Sequence, residues 1–141
     1  MKKTLVLIAL PLLLIANTAF GESDLEGFWC IEQDCMGSPS AVPSPPTGFV
    51  IQILNQTSEG LFEVINCSDP YTEPCYGAIE GKAIYVTCWD NIIVGVETKK
   101  GIEFSYISHI QNPNANPETC ATCKGTATKL PGCTDCTCSC P

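Results

Sequence analysis

The chain has 141 residues, of which eleven are cysteine and none is arginine, and its formal net charge is −8 at pH 7. A chain this acidic, with no guanidinium to bind phosphate in two places, is not expected to bind nucleic acid or an anionic membrane surface. Its length limits it to one domain, and its cysteine content indicates an oxidising compartment in which disulfides persist.

Residues 1–21 are predicted to form a bacterial secretory signal that is not part of the fold. Two lysines precede an apolar run at residues 5–15, and the small residues Ala19 and Gly21 follow it. We prefer cleavage after Gly21 to cleavage after Ala19, because Ala19 then lies at the third position before the cut. The apolar run is shorter than the roughly 20 residues that span a bilayer, so no stable membrane anchor is expected after cleavage. The protein is therefore expected in the periplasm or in the medium.

Beyond the signal the chain is predicted to be all-β, because apolar and polar residues alternate in short runs and no helical period is found. The eight predicted strands are residues 25–31, 48–56, 61–67, 76–80, 83–89, 92–98, 102–110 and 119–130. The predicted loops are residues 34–46, 68–74 and 111–118. These loops are rich in proline, whereas no proline falls inside a predicted strand, as expected for a residue that cannot donate to a ladder.

Residues 76–110 indicate how the strands are arranged. The four strands in this stretch are joined by turns of two or three residues, so they must be antiparallel neighbours. Eight strands in up-and-down order over residues 22–130 predict a small closed barrel, because closure removes the exposed strand edges. A sandwich of two four-stranded sheets is the alternative that the pattern leaves open. Residues 131–141 are predicted to be a cysteine-rich C-terminal tail.

The first predicted strand carries a family resemblance. Gly27-Phe28-Trp29, followed by a meander of short hairpins, resembles the lipocalin-like and avidin-like up-and-down barrels. The resemblance implies that Trp29 closes one end of the barrel and that the lumen or its opening binds a small apolar ligand. Members of this family usually place an arginine against the tryptophan, and Lys129 on the last strand is the nearest equivalent in this chain.

The tail is the densest cluster of chemically reactive side chains in the sequence. Its four thiols belong to Cys133, Cys136, Cys138 and Cys140. Reduced, they have the number and softness to hold a tetrahedral Zn²⁺ or Cu⁺ ion, and their Cys-x-Cys steps resemble those of metallothioneins. Oxidised, they would form disulfides with each other or with Cys120 and Cys123. Export favours the disulfides, and soft-metal binding is the alternative.

Most of the remaining cysteines are predicted to form disulfides near the ends of strands. Cys67 and Cys75 flank a loop between consecutive strands, and we predict that they form a disulfide because neighbouring strand ends come close enough. Cys30 and Cys35 are predicted to staple the first loop. Cys88, in the middle of a predicted strand, is interpreted as a small buried apolar residue.

Catalysis has little support in the sequence. His109 is the only histidine, and it shares a strand face with Glu103 and Ser105, but we favour the interpretation that it is an exposed or strand-end histidine over a catalytic arrangement. The CxxC of Cys120 and Cys123 is not followed by a helix that would activate a thiol for redox chemistry. We therefore expect a non-enzymatic protein that binds a small apolar ligand or serves as a structural module of the bacterial envelope.

Several aromatic side chains are candidates to line a pocket in such a barrel. They are Trp29, Tyr71, Tyr76, Tyr85, Trp89 and Tyr106. We interpret them as the core and rim of the barrel rather than as a dedicated binding site.

Overall fold

A computed structural model describes residues 23–37, 48–69, 73–88, 91–109 and 120–141, with the backbone alone for Ser108, His109 and Cys120. The predicted secretory signal and most of two predicted loops lie outside the described residues. Within the described ranges, no helix is long and apolar enough to cross a membrane.

Eight antiparallel strands close into a barrel in the order of the chain. The strands are β1 (Gly27–Gly37), β2 (Phe49–Leu54), β3 (Leu61–Asn66), β4 (Cys75–Glu80), β5 (Ala83–Cys88), β6 (Asn91–Thr98), β7 (Gly101–His109) and β8 (Cys120–Lys129). Each strand pairs with the next, and β8 pairs with β1 to complete the ring. The structure therefore confirms the predicted all-β meander and shows a barrel, not a sandwich.

The first strand is longer than the sequence pattern indicated. β1 continues through residues 32–37, although the sequence pattern predicts a loop that begins at residue 34. The reason is long-range: β8 pairs with β1 from Trp29 to Gly37 and satisfies the backbone groups of this stretch. The prediction of a loop at residues 34–37 is therefore wrong, and the rest of that predicted loop lies outside the described residues.

Two glycines allow β8 to lie close to its neighbours. Gly101 begins β7 with a φ of 139°, which side chains rarely allow, and a Cβ atom there would lie 2.1 Å from the carbonyl oxygen of Ala127. A Cβ atom at Gly125 would lie 2.1 Å from the carbonyl oxygen of Glu32 on β1. Glycine is therefore required at both positions if the last strand is to close the ring.

The strand order gives the barrel two different ends. One end, which we call the turn end, carries residues 23–26 and the short turns that lead into β3, β5 and β7. The other, which we call the loop end, carries the connections that lead into β2, β4, β6 and β8.

Alternation along each strand sends apolar side chains into the barrel. The buried core comprises Leu25, Trp29, Ile31, Ile53, Phe62, Val64, Ile79, Ile84, Ile102 and Ala127. Leu25 precedes β1 and is fully buried, so the entry segment seals the turn end of this core.

The C-terminal tail is bonded to the outside of the barrel. Disulfides join Cys140 to Cys30 on β1 and Cys136 to Cys67 after β3. Phe28 and Val50 alternate out of the lumen, yet they are 7% and 5% exposed. We infer that the tail shields these two outward apolar side chains, since its bond to Cys30 holds it over the same stretch of β1 and β2.

Candidate functional site

A cavity of about 390 Å³ occupies the lumen between the core and the loop end. Phe49, Ile51, Val64, Val86, Ile93 and Phe104 are among its mostly apolar walls. A volume of this size falls within the roughly 300–1,000 Å³ of pockets that hold small molecules, which are also mainly apolar.

The walls of the cavity follow directly from the strand pattern. Ile93 lines the cavity, whereas the next residue on β6, Val94, points outward and is 47% exposed. The same alternation places Val86 inside on β5 and Tyr85 outside. The side chains that line the cavity therefore come from alternate positions along the strands.

A set of polar side chains lies where the cavity approaches the loop end. Its described members are Gln33, Asn66, Glu73, Asn91 and Tyr106. The Tyr106 hydroxyl donates a hydrogen bond to Oε1 of Gln33 over 3.0 Å. Burial raises the pKa of Tyr106 above its usual value, against a smaller lowering by the Gln33 hydrogen bond. The phenol is therefore neutral at physiological pH and bridges β7 to β1.

Asn91 is the least satisfied of these polar groups. Its Oδ1 atom is buried and finds no hydrogen-bond donor among the described residues. Asn91 begins β6 opposite Cys88, beside the loop end of the cavity. A buried acceptor without a donor is unfavourable, so this atom is a candidate contact for a ligand.

The turn end of the lumen is closed by Trp29. Its ring is 4% exposed, and its Nε1 donates a hydrogen bond to the carbonyl oxygen of Leu25 over 2.8 Å. The ammonium of Lys129 lies 5.7 Å from the centroid of the Trp29 ring and donates to the carbonyl oxygen of Asp24 over 2.9 Å. Lys129 thus occupies the place against the tryptophan that the family resemblance implied.

The entry segment is fixed to the wall by one glutamine. The backbone N–H of Leu25 donates to Oε1 of Gln56 over 2.8 Å, and Nε2 of Gln56 donates to the carbonyl oxygen of Ser23 over 2.9 Å. Ser23 in turn donates to the carboxylate of Glu97. These bonds hold residues 23–26 across the turn end of the barrel.

Two disulfides brace the wall on opposite sides of the lumen. Cys35–Cys123 joins β1 to β8, with Cα atoms 4.1 Å apart, and Cys75–Cys88 joins β4 to β5, with Cα atoms 4.7 Å apart. In a ring of eight strands these two seams face each other. Cys123 is fully buried, and Cys75 and Cys88 line the cavity, so both bonds lie on the inner side of the wall towards the loop end.

Two predicted disulfide pairings are wrong. Cys67 is bonded to Cys136 and not to Cys75, because Cys75 faces the lumen whereas Cys67 follows β3 with its side chain on the outer side. Cys30 is bonded to Cys140 and not to Cys35. Cys30 and Cys35 both lie on β1, about 16 Å apart along an extended strand and on opposite faces, so they cannot meet.

The interpretation of Cys88 as a lone buried apolar residue is also wrong. Its side chain faces the lumen from the end of β5 and is bonded to Cys75 on β4. Cys123 of the CxxC pair is bonded to Cys35, while the side chain of Cys120 lies outside the described part of the structure. The bond to Cys35 leaves Cys123 without a thiol for the redox chemistry that a CxxC can perform.

The tail cysteines are distributed over three disulfides. Cys133 is bonded to Cys138, while Cys136 and Cys140 are bonded to the barrel. Within this small tail loop, the Thr137 hydroxyl and backbone N–H both donate to the Asp135 carboxylate, which lowers its pKa. No group of residues placed to hold a metal ion occurs among the residues described. In this oxidised state the predicted tetrathiolate site does not form, because its four sulfurs are already bonded.

We expect protein that is purified without reductant and then denatured to expose at most one reactive thiol per chain. Ten of the eleven cysteines are in the five described disulfides, and a bonded sulfur does not react with a thiol reagent. The measurement is a thiol titration in denaturant, with a fully reduced sample as the control that must report all eleven. Four or more thiols together with bound metal would instead support the tail as a metal site.

The residues considered for catalysis are not assembled by the described part of the structure. Glu103 and Ser105 lie on β7 with exposed side chains. His109 ends the same strand, and its side chain lies outside the described part. Of the aromatic candidates, Trp29 and Tyr106 face the lumen, whereas Tyr76 and Tyr85 are on the outside and exposed. Tyr71 and Trp89 lie outside the described residues.

Sequence reasoning missed the polar members of the cavity wall. Gln33 could have been identified by extending β1 past residue 31. It continues the inward-facing series of Trp29 and Ile31 on that strand. The sequence pattern places Asn91 in a turn and Glu73 in a loop, so it assigns neither residue to a face. No local signal marked these residues as neighbours of one cavity.

The fold and the site together define a class: a small closed antiparallel barrel with a mostly apolar lumen cavity and a disulfide-braced wall. Comparisons of the chain with protein-family models, with curated proteins and with solved structures found no match.

Proposed function

We propose that this protein is an exported, non-enzymatic binder that holds a small apolar ligand in the lumen of its barrel. The observation that carries the proposal is the cavity of about 390 Å³ with mostly apolar walls and a few polar groups gathered at one end. This is the usual composition of a site that takes up an apolar molecule and orients it by its polar end.

The walls are held in shape before any ligand enters. The Cys35–Cys123 and Cys75–Cys88 bonds fix opposite seams near the loop end, and Trp29 fixes the turn end. A site whose walls are already ordered loses little conformational entropy on binding, which favours affinity. The resemblance of Gly27-x-Trp29 to the lipocalin-like barrels, in which lumens hold small ligands, supports the same function.

Export is supported by the chemistry of the cysteines. Five disulfides are consistent with an oxidising extracellular or periplasmic compartment. The signal-like residues 1–21 support periplasmic or secreted localisation in a bacterium. The polar groups near the cavity are amides, a phenol and one carboxylate, which suit recognition of a ligand and give no pairing of nucleophile and base within the described residues.

Filling the lumen tests the proposal. We expect the wild-type protein to bind an uncharged apolar fluorophore such as N-phenylnaphthylamine saturably, with a rise in fluorescence. Ile93→Trp should weaken this binding by about tenfold or more, because a larger side chain at a lining position occupies the volume that the fluorophore needs.

Val94→Trp is the matched control, because it makes the same type of change one residue further along β6 but on the exposed outer face. It should bind the fluorophore as the wild type does. Far-ultraviolet circular dichroism must show that both variants are folded. Equal binding by the two variants would contradict lumen binding, and no saturable binding by the folded wild type would favour the structural role instead.

A further inference from the structure

We propose that the lumen selects ligands whose polar end donates hydrogen bonds, and best of all apolar amines in their protonated form, with Asn91 and Glu73 as the receiving groups. This inference rests on the proposed function and specifies the chemistry of the ligand. Three features of the polar end of the cavity support the inference. They are a hydrogen-bond acceptor without a donor, a single carboxylate and a phenol that already donates its proton to a hydrogen bond.

The unsatisfied acceptor is Oδ1 of Asn91. It is buried beside the cavity and has no donor among the described residues. Leaving a buried acceptor unpaired is unfavourable, whereas an N–H or O–H of a ligand would satisfy it. A ligand that ends in an acceptor would leave the atom unpaired and would add lone-pair repulsion. This site therefore discriminates between donors and acceptors at the polar end.

The lone charge is the carboxylate of Glu73. Glu73, whose side chain is exposed, is the one acidic residue among the described residues that line the cavity, and the described lining contains no lysine. The chain as a whole carries a net charge of −8, so no excess of positive charge offsets the carboxylate. A cation entering at this end is attracted, and an anion such as a fatty-acid carboxylate is repelled.

The phenol of Tyr106 does not reverse this preference. Its hydroxyl proton is directed at Oε1 of Gln33 over 3.0 Å, so it is not free to donate to a ligand carboxylate. The phenol oxygen keeps its lone pairs, which makes it a further acceptor near the same end of the cavity. The Tyr106 oxygen can therefore accept from the same donor-headed ligand that Oδ1 of Asn91 and the Glu73 carboxylate would bind.

Four probes with the same eight-carbon chain test the preference: octylamine, octanol, octyl methyl ether and octanoate. Each is titrated into the wild-type protein loaded with N-phenylnaphthylamine, and displacement is followed by fluorescence at neutral pH. We expect octylamine to bind most tightly, followed by octanol and then the ether, which accepts but cannot donate. Octanoate should be the weakest, by about tenfold or more relative to octylamine, since its charge is repelled and its oxygens cannot satisfy Asn91.

Two variants test whether Asn91 and Glu73 cause the expected preference for donor-headed ligands. Asn91→Leu should remove most of the advantage of octanol over the ether, because the acceptor is gone. Glu73→Gln should weaken octylamine several-fold and leave octanol unchanged. Glu103→Gln, which neutralises an exposed carboxylate on the outside of β7, is the matched control and should change neither.

The outcomes separate this inference from the proposed function. If the fluorophore does not bind, or binds and is displaced by none of the four probes, the proposed function itself fails. If the probes displace the fluorophore but octanoate or the ether binds as tightly as octylamine, the lumen binds ligands and the inferred preference is overturned. The same holds if Asn91→Leu and Glu73→Gln leave the order of the four probes unchanged.

Discussion

Replacing Cys30 and Cys140 together by serine is expected to lower the free energy of unfolding by about 3 to 5 kcal/mol. This disulfide spans a sequence separation of 110 residues, the longest of the five, and it ties the tail to the first strand. Without this bond the unfolded chain gains conformational entropy, which favours unfolding. The Cys35–Cys123 disulfide limits the entropy gained, because it still closes residues 35–123 of the same loop. The variant should be measured by urea-induced unfolding, following tryptophan fluorescence.

The loss has a second component in the folded state. Cys30 itself is 3% exposed, and we attribute the low exposure of the outward side chains of Phe28 and Val50, 7% and 5%, to cover by the tail that Cys30 anchors. Releasing the tail exposes apolar surface and leaves a serine hydroxyl in its place. We therefore expect the released protein to bind a hydrophobic dye on its outer surface as well as in its lumen.

The matched control removes Cys133–Cys138, which has a sequence separation of 5 and lies wholly within the tail. Its replacement by serines should reduce stability by at most about 2 kcal/mol, because a short loop restricts the unfolded chain less. An equal loss in both double variants would contradict the assignment of stability to the long bond between tail and barrel.

Replacing Trp29 by alanine is expected to destabilise the barrel by about 3 to 5 kcal/mol. The ring is 4% exposed at the turn end of the core, so its removal leaves a cavity that the rigid strands around it cannot fill. It also leaves the carbonyl oxygen of Leu25 without the donor that now lies 2.8 Å away. Far-ultraviolet circular dichroism during urea unfolding measures the effect without relying on tryptophan fluorescence.

Two milder variants separate the contributions at this end. Trp29→Phe keeps most of the ring but loses the hydrogen bond to Leu25, and we expect a loss of about 1 to 3 kcal/mol. Lys129→Met keeps the apolar stem but removes the ammonium that lies over the ring, with an expected loss of at most about 1 kcal/mol. A loss from Trp29→Ala no larger than that from Lys129→Met would show that the tryptophan does not support the core.

The strands were predictable because each one is encoded by its own residues. The alternation of residues 102–110 and the two-residue turn before Ala83 define β7 and the β4–β5 hairpin without reference to the rest of the chain. The end of β1 was not predictable in this way. Residues 34–37 carry no strand signal of their own, and they are extended because residues of β8, 84 to 90 positions later in the chain, supply their partners.

The candidate site was predictable in character but not in detail. Alternation alone indicates an apolar lumen. Which end is closed was only implied by the resemblance that Gly27-x-Trp29 carries. Asn91 and Glu73 were not identified, because whether a residue at a strand end faces a cavity depends on how the neighbouring strands tilt as the sheet closes. The Tyr106–Gln33 hydrogen bond likewise requires β7 and β1 to lie on either side of β8, which only the closed ring provides.

By itself, the amino-acid sequence determined the number and order of the strands, the alternation of their faces and a cysteine content that predicts disulfides. These properties follow from near neighbours along the chain and from composition. Only the tertiary structure decided which cysteines are bonded and which polar groups share the cavity. Both depend on distance and direction between strands remote in sequence: Cys67 and Cys75 are close along the chain but face opposite sides of the wall, whereas Cys30 and Cys140 meet because the tail folds back over β1.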